Sequence, residues 1–321
     1  MAAKGRNDAR RERIGGLDAV VLCSRPLEAW VLPSHGSNLA RLCVGGKAVI
    51  DFDPALLAKH DYTGTPVLYP TPNRVRNGAF RWRGRDYRQV KRGTLILEHG
   101  LVHAEPWSCG EPVIEEDGVR LETWLDFSPG SPVFEAFPFP QRLSLEFRLS
   151  ERGVAVTYSI RNEGPEEIPF GFGLHPYFQK LAGDADTLLS LPAESVMEAT
   201  SDLLPTGRLL EVGGTIYDLR RPTAVGALDL DHVFTGVPAG KHARIEYRGL
   251  NLAVSLEATP DFSHQVLYTP RGESFFCLEN QTCSTDAHNL FDRGFVLESG
   301  LKTVKPGETR RGSVAYLLSY Y

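Results

Sequence analysis

His175 lies in the run Phe170-Gly171-Phe172-Gly173-Leu174-His175-Pro176-Tyr177-Phe178, an apolar, aromatic setting for one imidazole able to trade a proton near neutral pH. Pro176 fixes its own φ and pushes His175 toward an extended backbone. Gly171 and Gly173 leave room beside the strand for a bulky molecule. The segment also suits a core histidine satisfied by a backbone carbonyl, so its neighbours alone do not separate catalyst from core. A second candidate ends the run Ser274-Phe275-Phe276-Cys277-Leu278-Glu279-Asn280. By strand alternation Glu279 shares a face with Phe275 and Cys277, where an ionised carboxylate loses solvation and its pKa rises. The plain alternative is a carboxylate at a strand end in water. A buried Glu and a buried His in one cleft form an acid and base pair.

Three further segments hold polar residues in comparable settings: Tyr69-Pro70-Thr71-Pro72-Asn73-Arg74, Leu95-Ile96-Leu97-Glu98-His99-Gly100 with Pro106-Trp107 after it, and Leu228-Asp229-Leu230-Asp231-His232-Val233-Phe234. His99 and His103 stand four apart, as zinc-binding histidines do on a helix. Gly100 between them and Pro106 after them oppose a helix, and no Glu fills the inner position, so no metal is expected. Val44-Gly45-Gly46-Lys47-Ala48 lacks P-loop spacing and Gly171-x-Gly173 lacks a third glycine. No nucleotide cofactor is expected.

The elements that must hold these residues are strands. Leu143, Leu145, Phe147 and Leu149 alternate with polar residues, Ser150-Glu151-Arg152-Gly153 turns the chain, and Val154, Val156, Tyr158 and Ile160 alternate again. Similar alternation runs through Val119-Leu121-Thr123-Leu125, Leu252-Val254-Leu256 and Val314-Tyr316-Leu318. The 31 glycines and 22 prolines punctuate these runs, and no long amphipathic helix interrupts them. The fold class is all-β, and so many strands must stack or close into a large two-sheet sandwich or barrel to protect their edges. A few short helical turns are expected, one of them near Pro54-Ala55-Leu56-Leu57-Ala58-Lys59.

The 321 residues, 42% hydrophobic and 23% charged, describe an ordinary globular chain with ample core. Residues 1–14 are expected as a flexible polar tail before a single domain over 15–321. A net charge of −5 opposes nucleic acid as a partner, and no apolar run reaches membrane-spanning length. Five scattered cysteines without a C-x-x-C pair suit free thiols in a reducing cytoplasm.

Five short motifs in register carry a resemblance: Asn73-Arg74, His99-Gly100 with Trp107 downstream, His175-Pro176-Tyr177-Phe178, Asp231-His232-Val233-Phe234, and Glu279-Asn280-Gln281. In this order and spacing the chain, from about Gly16 onward, resembles the aldose 1-epimerases, or sugar mutarotases. The resemblance implies a β-supersandwich, a small-molecule sugar as partner, a monomer or homodimer, and interconversion of hexose anomers without metal or cofactor. It implies that Glu279 takes the proton of the C1 hydroxyl while His175 gives one to the ring oxygen. Arg74 and Asp231 would bind sugar hydroxyls, and His99 would stand near the ring oxygen. Trp107, Tyr177 and Phe178 would offer apolar faces to the sugar, although each suits core packing equally well. His99-Gly100-Leu101 and Pro176 depart from the galactose mutarotase pattern and look closer to hexose-6-phosphate epimerases. A phosphate would then need cations, for which Arg76, Arg81, Arg85, Arg88 and Arg92 are candidates, although the stretch reads more readily as a solvated hairpin face. A carbohydrate-binding protein without catalysis is the remaining alternative.

Overall fold

The computed structural model describes residues 7–321, most of whose strands gather into two large antiparallel sheets of 13 and 10 strands, with three two-stranded sheets and five short α-helices beside them. The ten-stranded sheet grows from local sequence. Gln141–Ser150 and Gly153–Asn162 pair with Leu149 opposite Val154. Leu143, Leu145, Phe147 and Leu149 are buried on one face with Val154, Val156, Tyr158 and Ile160, while Arg142 and Arg148 point to water. Burying each such Leu or Phe contributes about 1.5–3 kcal/mol, which is what drives this face inward. Gly118–Phe127 flanks the hairpin on one side, and Thr309–Tyr320 then Leu252–Ala258 extend it on the other.

The thirteen-stranded sheet begins with the strands Asn7–Ile14, Leu17–Ser24, Leu27–Leu32, Asn38–Val44 and Lys47–Ile50. It continues through Tyr177–Gln179, Phe275–Gln281, His264–Tyr268 and Asp231–Thr235. The two sheets meet where Phe178 packs edge-on against Tyr316, ring centroids 5.8 Å apart. Tyr69 is wholly buried in the same layer, 5.7 Å from Phe127, and its hydroxyl donates to the Gln141 side chain.

The expected tail is corrected over residues 7–14. They form a strand in continuous register with Leu17–Ser24, from Asn7 opposite Ser24 to Ile14 opposite Leu17. Gly15 and Gly16, both at positive φ, make the turn. This is an edge strand, where charged residues face water and guard the open edge, so the polar run that suggests a tail is compatible with a strand. Residues 1–6 of that tail lie outside the described residues. The helical turn appears at Pro54–Leu57, with Asp53 Oδ1 accepting from Ala55 N at 2.7 Å. All five cysteines are free.

Candidate active site

Leu174 faces Asn280 and Tyr177 faces Cys277 across neighbouring strands, so the register sets His175 opposite Glu279. Pro176 has no N–H to give, so the ladder lapses there, while the His175 N–H donates on the other side to the Pro66 carbonyl at 3.1 Å. Directly opposed residues share a face, and the side chains meet: His175 Nε2 lies 3.3 Å from Glu279 Oε1, with only 7% and 2% of the two side chains exposed. Glu279 Oε2 accepts from Gln281 Nε2 at 2.8 Å. Gln281 stands two residues along the same strand face.

Burial decides the charge of this pair. It raises Glu279 to about 8; the Gln281 hydrogen bond and Arg74 pull the other way, and the Asp231 charge adds to the rise. Burial also lowers His175 to about 4. At neutral pH the free pair is a carboxylic acid beside a neutral imidazole, one exchangeable proton shared between two sites in contact.

The other side chains arrive by different routes. Asp231 opposes Tyr268, which opposes Cys277, which opposes Tyr177, so one row of paired residues crosses four strands. Arg74 comes from a loop in which Asn73 adopts a left-handed φ of 58° and its Oδ1 accepts from Arg74 N at 2.8 Å and Nη1 at 3.2 Å. The His99 N–H donates to the Asn73 carbonyl at 2.8 Å, and His99 is itself left-handed. Gly100 follows because a Cβ there would stand 2.2 Å from the Tyr69 carbonyl oxygen. The two loops are thereby locked together. Arg74 Nη2 is 3.6 Å from Asp231 Oδ2 and its Nε 3.9 Å from Glu98 Oε2, loose ion pairs that leave donors free. The His99 ring meets His175 edge-to-face at 5.2 Å. Burial, then His175, His103 and Arg74, push His99 well below its ordinary pKa, so it stands neutral.

Tyr177 joins this group, its ring stacked on His175 with centroids 5.0 Å apart. Phe178 and Trp107 do not. Phe178 points to the opposite face and is wholly buried against Phe276 and Tyr316, because neighbours on a strand alternate sides. Trp107 is packed in the core with its Nε1 toward the Val102 carbonyl at 3.4 Å, and it borders a separate groove with Arg13, Asp18 and Ser34. The room expected beside Gly171 and Gly173 is also filled by protein. A Cβ on Gly171 would lie 2.2 Å from Cys283 Sγ, and one on Gly173 3.0 Å from Gln281 Cγ.

The arginine-rich stretch is engaged elsewhere. Arg81 and Arg85 lie on the hairpin Ala79–Trp82 and Arg85–Arg88, pairing with Asp86 at 3.7 Å and Glu166 at 2.9 Å. Arg92 makes two bonds to Glu105 at 2.6 and 2.8 Å. Arg88 is solvent-exposed, and Arg76 sits 4.0 Å from Asp286. Two residues at the site carried no assigned role in the sequence. Gln281 was detectable, since it follows Glu279 by the strand period. Tyr62, whose ring meets His99 at 4.6 Å and His103 at 4.7 Å, comes from an irregular loop with no periodic signal.

Fold and site together define an all-β, two-sheet sandwich protein with a buried His175–Glu279 pair and with Arg74, Asp231 and His99 gathered near it. The family model for aldose 1-epimerase matches residues 19–317, and the chain belongs to that family. The Escherichia coli protein YphB is 26% identical over 249 residues, 75% of this chain and 79% of that protein. Pig (Sus scrofa) galactose mutarotase is 28% identical over 177 residues, 53% of this chain and 48% of that protein. The chain thus spans about half the length of the mammalian galactose mutarotases it matches. Among solved structures, a galactose mutarotase-like protein from Clostridium acetobutylicum superposes with a TM-score of 0.86 at 22% identity, covering 98% of this chain and 99% of that one. Galactose 1-epimerase from Lactobacillus acidophilus gives 0.78 at 17% identity, covering 98% of each chain. These structural likenesses speak for the fold.

Proposed function

We propose that the chain catalyses interconversion of the α and β anomers of a free aldose, with Glu279 as base and His175 as acid. The 3.3 Å contact between His175 Nε2 and Glu279 Oε1 carries this reading. The hydroxyl that loses a proton and the ring oxygen that gains one are bonded to the same carbon, so their base and acid must be neighbours. The working form is a carboxylate beside an imidazolium, which holds the same number of protons as the neutral resting pair. One proton passing from Glu279 to His175 produces it. Glu279 then takes the C1 hydroxyl proton as His175 protonates the ring oxygen, and the C1–ring-oxygen bond breaks to leave an aldehyde. Rotation about C1–C2 presents the other carbonyl face, and reclosure returns both protons. Positioned acids and bases each supply about 10²–10⁴-fold, so the pair suffices for a useful acceleration. Arg74, His99 and Asp231 hold the sugar hydroxyls, with Tyr177 against its C–H surface.

Polarimetry on freshly dissolved α-D-glucose, α-D-galactose and glucose 6-phosphate tests the reading. Acceleration of any of them above the buffer rate is the expected result. A rate equal to buffer with all three sinks the enzyme and leaves a carbohydrate-binding protein. The pairing of Arg81, Arg85 and Arg92 with Asp86, Glu166 and Glu105 favours an unphosphorylated sugar over a hexose 6-phosphate.

A further inference from the structure

Asn280 follows Glu279 in the chain, and strand alternation sends the two side chains to opposite faces. Gln265 stands directly opposite Asn280 on the neighbouring strand, so both carboxamides share the face turned toward the ten-stranded sheet. They line a cleft of about 470 Å³, within the range of small-molecule sites, about 300–1,000 Å³. Its other wall is Leu256 and Ala258 of the ten-stranded sheet, and the loops 236–242 and 259–263, which cross from one sheet to the other, bound its mouth. The candidate active site lies on the far side of the same strand.

The two carboxamide residues, Asn280 and Gln265, are only 1% and 5% exposed, and Asn280 Oδ1 and Gln265 Oε1 have no hydrogen-bond partner among the described residues. Unpaired polar groups in an interior cost stability, and a leucine at either position would avoid that cost. The hydroxyls around them are already committed. Thr235 Oγ1 donates to the Ser263 carbonyl at 2.8 Å, Ser263 Oγ to the Thr282 carbonyl at 3.2 Å, and Thr259 Oγ1 accepts from Ser313 N at 3.0 Å. The carboxamides are left to meet a ligand.

A carboxamide holds a donor and an acceptor in one plane, and turning it over exchanges them. An opposed pair therefore suits a flat molecule with a donor and an acceptor side by side on one edge. Adenine carries such an edge, its amino group beside a ring nitrogen, and Asn and Gln are the side chains that pair with it. Phe262, held edge-to-face by Tyr158 at 5.8 Å and Phe172 at 6.2 Å, gives the cleft an aromatic wall for the base. No carboxylate or arginine lines this cleft, in contrast to the Arg74 and Asp231 that would hold sugar hydroxyls. Lys241 and His242 stand exposed at its rim, where a ribose or its phosphate would emerge. Recognition through the base needs no phosphate-cradling loop.

We propose that this inter-sheet cleft binds an adenine nucleoside, as adenosine or its monophosphate, with the base edge paired to Gln265 and Asn280. The inference is independent of the mutarotase reading.

Calorimetric titration of the full chain with adenosine, AMP, purine riboside, ribose 5-phosphate and maltose tests it. Adenosine and AMP should bind at one site per chain, and purine riboside, which lacks the amino group, at least about tenfold more weakly than adenosine. Gln265→Leu should weaken adenosine by about tenfold or more. AMP bound more tightly than adenosine, with the advantage lost in Lys241→Ala, supports the site with the nucleotide as ligand; equal affinities support it with the nucleoside. No binding of either overturns the site. Purine riboside equal to adenosine, or undiminished adenosine affinity in Gln265→Leu, overturns the pairing with the base. Maltose or ribose 5-phosphate binding more tightly than adenosine overturns the ligand class. Should Gln265→Leu fail to fold, the comparison of adenosine with purine riboside on wild type still decides.

Discussion

In the ten-stranded sheet, Gln141–Ser150 buries every second residue and turns Arg142, Glu146 and Arg148 toward water. In the thirteen-stranded sheet, Phe275–Gln281 is buried on both faces from Phe276 onward. The first sheet has one face for the core and one for solvent, so its acids and bases stay solvated: Glu146 lies 3.7 Å from Arg120 with 43% of its side chain exposed. The second sheet lies between the core and a layer of loops bearing Tyr62, Arg74 and His99. Glu279 there has lost its water and finds His175 and Gln281 instead. The same residue type is an inert surface group in one sheet and a perturbed, poised group in the other.

The sharpest way to break this comparison is to change matched residues in the two sheets. Glu279→Gln and His175→Asn should each lower mutarotation by about 10²–10⁴-fold with the circular dichroism spectrum unchanged, whereas Glu146→Gln should leave the rate alone. Near-normal turnover in Glu279→Gln would remove its role as base. Next in size is the matched arginine pair. Arg74→Ala should raise KM by about 10–100-fold, the equivalent of losing charge-assisted bonds of about 1.5–3 kcal/mol. Arg142→Ala, which breaks a two-pronged pairing with Asp126 at 2.6 and 2.9 Å, should move neither kcat nor KM.

The pH response sharpens the comparison further. If activity belongs to the pair with one shared proton, kcat/KM is level at neutral pH, falls above about 8 as Glu279 and His175 lose it, and falls below about 4 as a second proton enters. Stability follows from the same shifts. Glu279, raised from its ordinary 4.5 to about 8, stabilises the fold fully below pH 4.5, and that contribution is lost as pH rises through 8. His175, lowered from 6.5 to about 4, has the opposite sign: its contribution is present above 6.5 and lost as pH falls through 4. Urea denaturation of wild type and Glu279→Gln should therefore show wild type losing stability relative to the variant as pH climbs from 4.5 to 8. A constant difference would contradict the burial effect. The smallest effect belongs to the solvent face, where Arg142→Ala should cost no more than about 1 kcal/mol in the same assay.

How far each sheet could be read in advance follows the same division. The alternating runs at 119–125, 143–149, 154–160, 252–256 and 314–318 all fall on neighbouring strands of the ten-stranded sheet. A strand between core and water writes its orientation into every second residue. The edge strand of residues 7–14 was not legible, because its charged sequence lacks an apolar stripe and reads as a tail. Phe275–Gln281 reads as a near-continuous apolar run, which identifies a buried strand without saying what covers it. Glu279 was visible there as an acid out of place. Tyr62 was not, since an irregular loop has no period, and Trp107 and Phe178 were ambiguous because aromatic rings serve cores and ligands equally.

Sequence alone determined that the chain is all-β, that His175 and Glu279 sit in apolar runs, and that the five motifs occur in family order. Those are local properties, set by side-chain period, turn residues and spacing. Only the tertiary structure decided that His175 opposes Glu279, that Arg74 and His99 approach through two interlocked left-handed turns, and that Phe178 and Trp107 go to the core. Each of these depends on pairing between residues far apart in the chain, such as His175 and Glu279, and on which face of a strand is covered. A shift of one residue in that register would send Glu279 to the opposite face, so the chemistry rests on long-range pairing that no local pattern encodes.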